Sequence, residues 1–341
     1  MQKFPSSIFS SETLQADVVR TGAVKATILA LLITVLAETA CRWMLEPIGR
    51  RWEYWDPVAA DKFEYYRSRL GTNVPDVVIV GDSTAARNFS PEALEAKFAL
   101  GTDVFNLGWP GNFPMAFRHS TMDLFGNGNV PRLVIVSFSP SSFVNGVRVS
   151  QIEDAILGSP FCRHSAGETS IGQYVYLSRL RDARPFAGAF FTGLGLNVRP
   201  ADDGAMLLDG RKETVPQTLQ PPSESGLSDA RLNVLDEFVQ RLQNGGSDVL
   251  LVLPPAATSE RLSGVPAAYL AHLNQLCDQS PHVTLFNSRE DAQLDSTDFW
   301  DAGHLNRAGA TKFSKRIGAA IAGNNTPPAV LIRSATFNAT P

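Results

Sequence analysis

Short apolar runs alternate with longer amphipathic segments from about residue 76 onwards. The runs Val77 to Val80 and Leu133 to Phe138 show little polar alternation, which is typical of strands that are covered on both faces. The segment Arg231 to Gln243 instead repeats apolar residues every three or four positions, as an amphipathic helix does. Strands that alternate with helices predict an α/β fold with a parallel sheet and right-handed crossovers.

The same pattern gives five strands and five helices. Strands are expected at 77–80, 104–107, 133–138, 249–253 and 283–286. Helices are expected to open at Ser90-Pro91-Glu92 and to cover 115–125, 231–243, 267–277 and 307–322. Ser90 suits a helix cap and Pro91 the first helical position. Five parallel strands with helices between them predict a flavodoxin-like three-layer α/β/α sandwich.

An apolar run near the N-terminus, Ala26 to Ala37, contains neither a charge nor a helix breaker. Its 12 residues fall short of the roughly 20 that a spanning helix needs, but the span lengthens if Lys25 and Arg42 reach the headgroups. We favour an uncleaved signal anchor, with a cleaved signal peptide and a soluble helix as alternatives. Basic residues flank both ends of the run, so the positive-inside rule does not fix its orientation.

These patterns divide the chain into segments. We expect a polar tail (1–21), a signal anchor or transmembrane helix (22–45), a juxtamembrane stalk (46–75), an α/β domain (76–323) with an insertion at 141–229, and a C-terminal tail (324–341). The aromatic residues of the stalk fit either a belt at the membrane interface or a helix that packs on the domain. The insertion is too long for a simple connection, and we expect it to carry its own structure, with a cap over the site as one option.

Composition narrows the classes of function. Thirty Lys and Arg stand against 34 Asp and Glu, and a formal net charge of −4 argues against a nucleic-acid binder. A hydrophobic share of 44% excludes a largely disordered chain. Three cysteines cannot form a disulfide scaffold, although a bridge between Cys162 and Cys277 stays open. We expect neither a metal site nor a cofactor.

Reactive side chains follow the predicted strands, where the carboxyl ends of a parallel sheet collect active-site residues. Ser83 follows the first strand, and Asp301 and His304 stand just before the last helix. Asp301 can accept a hydrogen bond from Nδ1–H of His304 while Nε2 faces the serine hydroxyl, the arrangement of nucleophilic catalysis. We therefore predict Ser83 as nucleophile, His304 as base and Asp301 as the residue that orients it, with Asp298 as a less favoured carboxylate.

Acyl transfer also needs hydrogen-bond donors for the oxyanion. The backbone N–H groups of Ser83 and Gly108 are the predicted donors, since a glycine lets the backbone approach a substrate closely. Trp109 and Phe113 are candidates to line an acyl or sugar pocket, with packing in the core as the alternative.

The order of these blocks resembles that of the SGNH (GDSL-like) hydrolases. In that family a GDS-type block carries the nucleophile, a second-block glycine and a third-block asparagine help to form the oxyanion hole, and a DxxH block supplies Asp and His. Ser83, Gly108, Asp301 and His304 match these positions, and the last block continues as HLNxxG. The resemblance covers residues 76–322 apart from the insertion. It implies an SGNH-hydrolase type of sandwich and ester hydrolysis or acyl transfer.

One block departs from this pattern. The sequence after the third strand reads Ser137 to Ser142 (SFSPSS), without the family's asparagine. Asn112, Ser139 and Asn145 are the candidates to supply the missing donor. The departure resembles that of membrane-anchored SGNH-like proteins linked to acylation of cell-envelope polymers, in which a membrane-bound O-acyltransferase hands over the acyl group.

This second resemblance implies a single-pass protein with a periplasmic catalytic domain and a carbohydrate polymer with acyl, typically acetyl, esters as substrate. Two functions stay open. The first is a serine esterase or O-acyltransferase, where the choice depends on whether water or a sugar hydroxyl reaches the acyl-enzyme first. The second is a catalytically silent partner of the same fold that binds a polysaccharide or a membrane-bound O-acyltransferase, motivated by the incomplete third block.

Overall fold

A computed structural model describes residues 11–45, 57–69, 73–98, 101–125, 130–144, 203–210, 226–257, 265–289 and 294–323. Five strands form one parallel sheet in the order β2-β1-β3-β4-β5. They are β1 (Val77–Gly81), β2 (Val104–Asn106), β3 (Leu133–Ser137), β4 (Asp248–Leu253) and β5 (Val283–Asn287). All five predicted strands are confirmed to within one residue at each end. Gly81 at the end of β1 lies beside Ser137 at the end of β3, so residues that follow these strands meet at one edge.

Eight α-helices occur in the ranges that the structure describes. They are α1 (Ser11–Leu45), α2 (Pro57–Arg69), α3 (Ser83–Asn88), α4 (Pro91–Glu95), α5 (Pro114–Ser120), α6 (Asp229–Asn244), α7 (Ala267–Gln279) and α8 (Arg307–Gly323). Short 3-10 turns cover Met122–Leu124, Pro140–Phe143 and Ser296–Asp298. The helix expected over 115–125 ends at Ser120 and continues as a 3-10 turn. Ser90 caps α4 as predicted, accepting a hydrogen bond from the Ala93 N–H at 3.3 Å.

Both faces of the sheet carry a buried hydrophobic cluster, because side chains alternate along each strand. Val78 and Val80 face a cluster that includes residues of α2, α5, α6 and α7. Val77 and Ile79 face a second cluster that includes residues of α3, α4 and α8. The predicted α/β class is therefore confirmed.

Helix α2 lies in the segment interpreted as a stalk, yet it is part of the first cluster. Ala59, Phe63 and Tyr66 repeat at the spacing of one helix face and are buried. The ring of Tyr66 stacks on Phe105 of β2, with centroids 6.1 Å apart. Of the two interpretations of the stalk, packing on the domain holds for residues 57–69, and the packed unit begins before residue 76. The aromatic residues at 52, 54 and 55 lie outside the described ranges.

The direction of α2 follows from its polar contacts. Arg69, in its last turn, pairs with Asp103 just before β2 begins. Lys62, in its first half, donates to the carbonyl of Gly108 just after β2 ends. Helix α2 therefore runs antiparallel to β2, and its first turns lie at the carboxyl edge of the sheet.

Helix α1 is 35 residues long and includes a stretch, Ala23–Cys41, that is long and apolar enough to cross a membrane. Nearly all of this stretch is exposed. The hydroxyls of Thr27 and Thr34 donate to carbonyls four residues earlier, which satisfies them inside the helix. The helix begins at Ser11, so the second half of the predicted polar tail is helical.

Most of the insertion lies outside the described ranges, as do the tail 324–341 and Cys162. Cys277 carries a free thiol and does not form the bridge that the cysteine count allowed. The insertion's residues 203–210 are described, and they join three elements at the carboxyl edge. Asp203 O accepts from Asn106 N at 2.8 Å, Met206 N donates to Ala86 O at 3.1 Å, and Leu208 O accepts from Arg307 N at 2.7 Å.

Candidate active site

Ser83 is the first residue of α3, which begins just after β1. Asp82, the one residue between them, caps the helix. Asp82 Oδ1 accepts from the N–H of Thr84 at 2.8 Å and from its hydroxyl at 2.7 Å. The other oxygen accepts from Ser139 N at 2.8 Å and Ser142 Oγ at 2.6 Å. Asp82 is buried, and its four hydrogen bonds hold the loop after β3 against the start of α3. Its role is structural.

His304 brings the two ends of the predicted triad together. Its Nε2 lies 2.9 Å from Ser83 Oγ, although the two residues are 221 positions apart in the chain. Its Nδ1 lies 2.9 Å from Asp301 Oδ1 and 3.0 Å from Oδ2. A hydroxyl, an imidazole and a carboxylate thus form one continuous hydrogen-bonded chain, the geometry that activates a serine.

The carboxylate of Asp301 is held in its charged form. Burial opposes ionisation, but the hydrogen bond and charge of His304 and two backbone hydrogen bonds outweigh it and lower the pKa of Asp301. The backbone donors are the N–H groups of Gly303, at 3.0 Å, and His304, at 2.9 Å. This loop therefore supplies a fixed negative charge behind the imidazole.

Two other histidines in the described ranges pair with carboxylates. His272 Nε2 lies 2.7 Å from Asp236 and His282 Nδ1 lies 2.9 Å from Asp248. Only His304 among these three has its second ring nitrogen on a serine hydroxyl in the part of the chain described. Asp298, the alternative orienting residue, is buried and pairs with Lys312 at 2.7 Å instead.

Asn88 is a site residue that the sequence did not reveal. It is fully buried at the end of α3, and its side chain bonds to the backbone on both sides of His304. Nδ2 donates to Gly303 O at 3.2 Å, and Oδ1 accepts from Leu305 N at 2.8 Å. No local signal in the sequence joins an asparagine to a loop more than 200 residues away.

Gly108 packs closely against α3. A Cβ at this position would stand 2.6 Å from Ala85 Cβ and 2.8 Å from Ala86 N, so packing on α3 by itself requires a glycine here. The Gly108 N–H donates to Asn106 Oδ1 at 3.0 Å. Asn106 also donates to Ala85 O at 2.9 Å. The amide predicted for the oxyanion is therefore engaged within the protein.

Three residues are candidates to replace the missing third-block asparagine, and the structure describes two of them. Asn112 is fully buried, with Nδ2 donating to Gly81 O at 3.2 Å and Oδ1 accepting from Ser120 at 3.2 Å, so its side-chain amide is engaged within the core. The Ser139 N–H is bound to Asp82, and its hydroxyl lies 2.7 Å from that of Ser141. Asn145 lies outside the described ranges.

Ser83 itself provides the remaining donor. As the first residue of α3, it has an N–H without an acceptor inside the helix, and no hydrogen bond occupies that N–H within the described ranges. This amide is therefore available to an oxyanion that forms next to the hydroxyl.

The two aromatic candidates for the pocket differ in how deeply they are buried. Trp109 is buried in the first hydrophobic cluster and meets Phe63 of α2 edge-on, with centroids 6.4 Å apart. Trp109 therefore packs in the core, the alternative that the sequence left open. Phe113 is half-buried at the start of α5, and its position leaves the prediction open.

No group of three or more His, Cys, Asp or Glu side chains suited to a metal ion occurs in the described ranges. No family model matches this chain, and no curated protein matches it. The functional assignment therefore rests on the geometry around Ser83.

Proposed function

We propose that this protein is an SGNH-like serine esterase or O-acyltransferase that acts on acyl, typically acetyl, esters of a cell-envelope polysaccharide. The observation that carries the proposal is the hydrogen-bonded chain from Ser83 through His304 to Asp301. It is the combination that makes a hydroxyl nucleophilic at neutral pH.

The first half of the reaction transfers the acyl group to the enzyme. Ser83 Oγ attacks the ester carbon while its proton passes to His304 Nε2, and Asp301 stabilises the imidazolium that results. The negative charge on the former carbonyl oxygen is bound by the Ser83 N–H, and by the Gly108 N–H if substrate shares it with Asn106. The tetrahedral intermediate collapses when His304 returns the proton to the leaving alcohol, and an acyl-serine remains.

The second half releases the acyl group by the same groups. His304 removes a proton from the incoming hydroxyl, which attacks the acyl-serine carbon, and then protonates Ser83 Oγ as it leaves. Water as the acceptor gives an esterase, and a sugar hydroxyl gives a transferase. No cofactor takes part in either half.

The topology supports the SGNH type. The strand order places β1 next to β2 and β3, as in the flavodoxin-like three-layer sandwich. The serine follows the first strand, the glycine follows the second, and the DxxH block precedes the last helix. These are the positions at which the resemblance expects them.

The attachment of α2 supports a site that works close to a membrane. Helix α1 ends at Leu45, and α2 begins twelve residues later at the carboxyl edge of the sheet, where Ser83 lies. An extended chain of that length spans at most about 40 Å. We propose α1 as the single membrane anchor, with the domain in the periplasm. The polysaccharide and a membrane-bound O-acyltransferase partner follow from the resemblance.

The test is hydrolysis of p-nitrophenyl acetate by the full chain in detergent. Ser83→Ala is expected to lower kcat by about 10⁴-fold or more with an unchanged melting temperature. Ser141→Ala, which removes an exposed hydroxyl from a neighbouring loop, is the matched control and should leave kcat unchanged. Activity retained in Ser83→Ala would overturn the proposal.

A second candidate is the catalytically silent partner of the same fold. It is favoured by one observation, the engagement of the Gly108 and Ser139 N–H groups by Asn106 and Asp82. A silent domain would bind acetylated polysaccharide without turnover in the wild-type protein, and Ser83→Ala would bind it equally well.

A further inference from the structure

We propose that Lys62 of α2 is a positioning residue for the loop that carries Gly108, and that the helix next to the anchor is thereby part of the active site. The inference rests on the proposed function, because it assigns Gly108 to the oxyanion site.

The starting observation is a fully buried lysine. Lys62 is 1% exposed, and its Nζ donates to the carbonyl oxygen of Gly108. Lysine is almost never fully buried unless it is paired, since moving an ammonium out of water is costly. Its neighbours on the same helix face, Ala59, Phe63 and Tyr66, pack in the core, and its hydrogen bond to Gly108 ties the ammonium to the loop after β2.

Gly108 is fixed on three sides. Its N–H is held by Asn106 Oδ1, its carbonyl by Lys62 Nζ, and its α-carbon packs against Ala85 of α3. The first and third contacts come from elements of the sheet edge itself. The contact from Lys62 fixes the carbonyl, and the N–H of the same peptide, that of Trp109, donates to Gly81 O at the longer distance of 3.4 Å. Without Lys62 this peptide keeps only the longer hydrogen bond.

The ammonium also carries a charge of the sign that the reaction needs. A charge-assisted bond to a carbonyl is stronger than a neutral one and polarises the peptide that it binds. A fixed positive charge close to a reacting centre stabilises an oxyanion that forms there. Lys62 acts on the site through Gly108, to whose carbonyl it donates.

The opposite end of α2 supplies a matched control. The ion pair of Arg69 with Asp103 also ties α2 to β2, but at the amino edge of the sheet, away from Ser83. Arg69→Met and Lys62→Met each remove one polar tie between the same two elements. Only the second tie reaches the site.

The experiment measures kcat and KM for p-nitrophenyl acetate with the full chain in detergent, together with melting temperatures. Lys62→Met is expected to lower kcat by about 10- to 100-fold with KM nearly unchanged, because a small misplacement of an oxyanion donor costs that much. Arg69→Met is expected to lower the melting temperature by a similar amount and to keep kcat within about 2-fold of the wild-type value. Lys62→Arg, which keeps the charge and the donor, should recover part of the lost kcat.

Equal kcat values for Lys62→Met and Arg69→Met would overturn the inference and leave the proposed function standing. If Lys62→Met does not fold, Lys62→Gln replaces it. Lys62→Gln keeps a donor without the charge and should also lower kcat, and a kcat equal to that of wild type would again overturn the inference. An inactive wild-type protein would overturn the proposed function and this inference together.

Discussion

The side chain of Asn88 holds the backbone on both sides of His304. Its two hydrogen bonds, to Gly303 O and from Leu305 N, bracket the imidazole. Asn88 ends the six-residue helix that Ser83 begins. One short helix therefore carries the nucleophile at its first residue and holds the His304 loop from its last residue. The distance between the Ser83 hydroxyl and the imidazole is thus set by this helix.

Asn88→Ala is expected to reduce both activity and stability. The variant leaves the buried N–H of Leu305 without its partner, which costs about 1–3 kcal/mol in the free energy of unfolding. It also frees the His304 loop, and we expect kcat to fall by about 10- to 100-fold. Urea unfolding and p-nitrophenyl acetate hydrolysis measure the two effects.

The control for this variant is Asn244→Ala, which changes an exposed asparagine at the end of α6. It should leave kcat and the unfolding free energy close to those of wild type. If Asn88→Ala retained full kcat, the bracket around His304 would not position the base.

Gly108→Ala tests whether packing on α3 requires this glycine. The added methyl group would meet Ala85 Cβ and Ala86 N well inside contact distance. We expect a loss of about 1–3 kcal/mol in the free energy of unfolding, the usual cost of overpacking. Gly303→Ala is the comparison, because a Cβ there meets nothing within 4 Å and should change the unfolding free energy by about 0.5 kcal/mol or less. Similar stabilities of the two variants would contradict this account of Gly108.

Asp301→Asn tests the charge behind the imidazole through the pH dependence of stability. Because the folded-state pKa of Asp301 is lowered from 3.8, its contribution is complete well above pH 3.8 and is lost as the pH falls through the lowered pKa. At pH 7 the variant should lose about 1–2 kcal/mol of unfolding free energy relative to wild type, since it gives up hydrogen bonds to a charged acceptor.

Urea unfolding of both proteins between pH 7 and pH 3 measures this difference. It should stay constant down to about pH 5 and shrink below that value. A difference that grew as the pH fell would mean that the carboxyl group is neutral in the folded protein.

The sheet was predictable because each strand is a short apolar run that ends in glycine, proline or polar residues. The triad was predictable because Ser83, Asp301 and His304 each follow or precede such an element at the same edge. Helix α3 was not predicted. Its six residues are too few to show a period, and its cap, Asp82, lies inside the motif that marks the nucleophile.

Which of the predicted oxyanion donors are already engaged within the protein was not predictable, for a different reason. A sequence shows which residues have an N–H group, but not which of these groups another side chain already binds. Asn106 occupies the amide of Gly108, and Asp82 occupies that of Ser139. Helix α2 did show the spacing of a buried face in Ala59, Phe63 and Tyr66. Lys62 lies in the same face, however, and a charged residue there is typical of an exposed helix face.

The most direct test of the central claim is covalent labelling of the full chain in detergent by a fluorophosphonate, read by peptide mass spectrometry. An activated serine should form one adduct, on Ser83, and His304→Ala should slow its formation by about 100-fold or more because the base is lost. Absence of an adduct on Ser83 in the folded wild-type protein, or equal labelling of His304→Ala, would contradict the account.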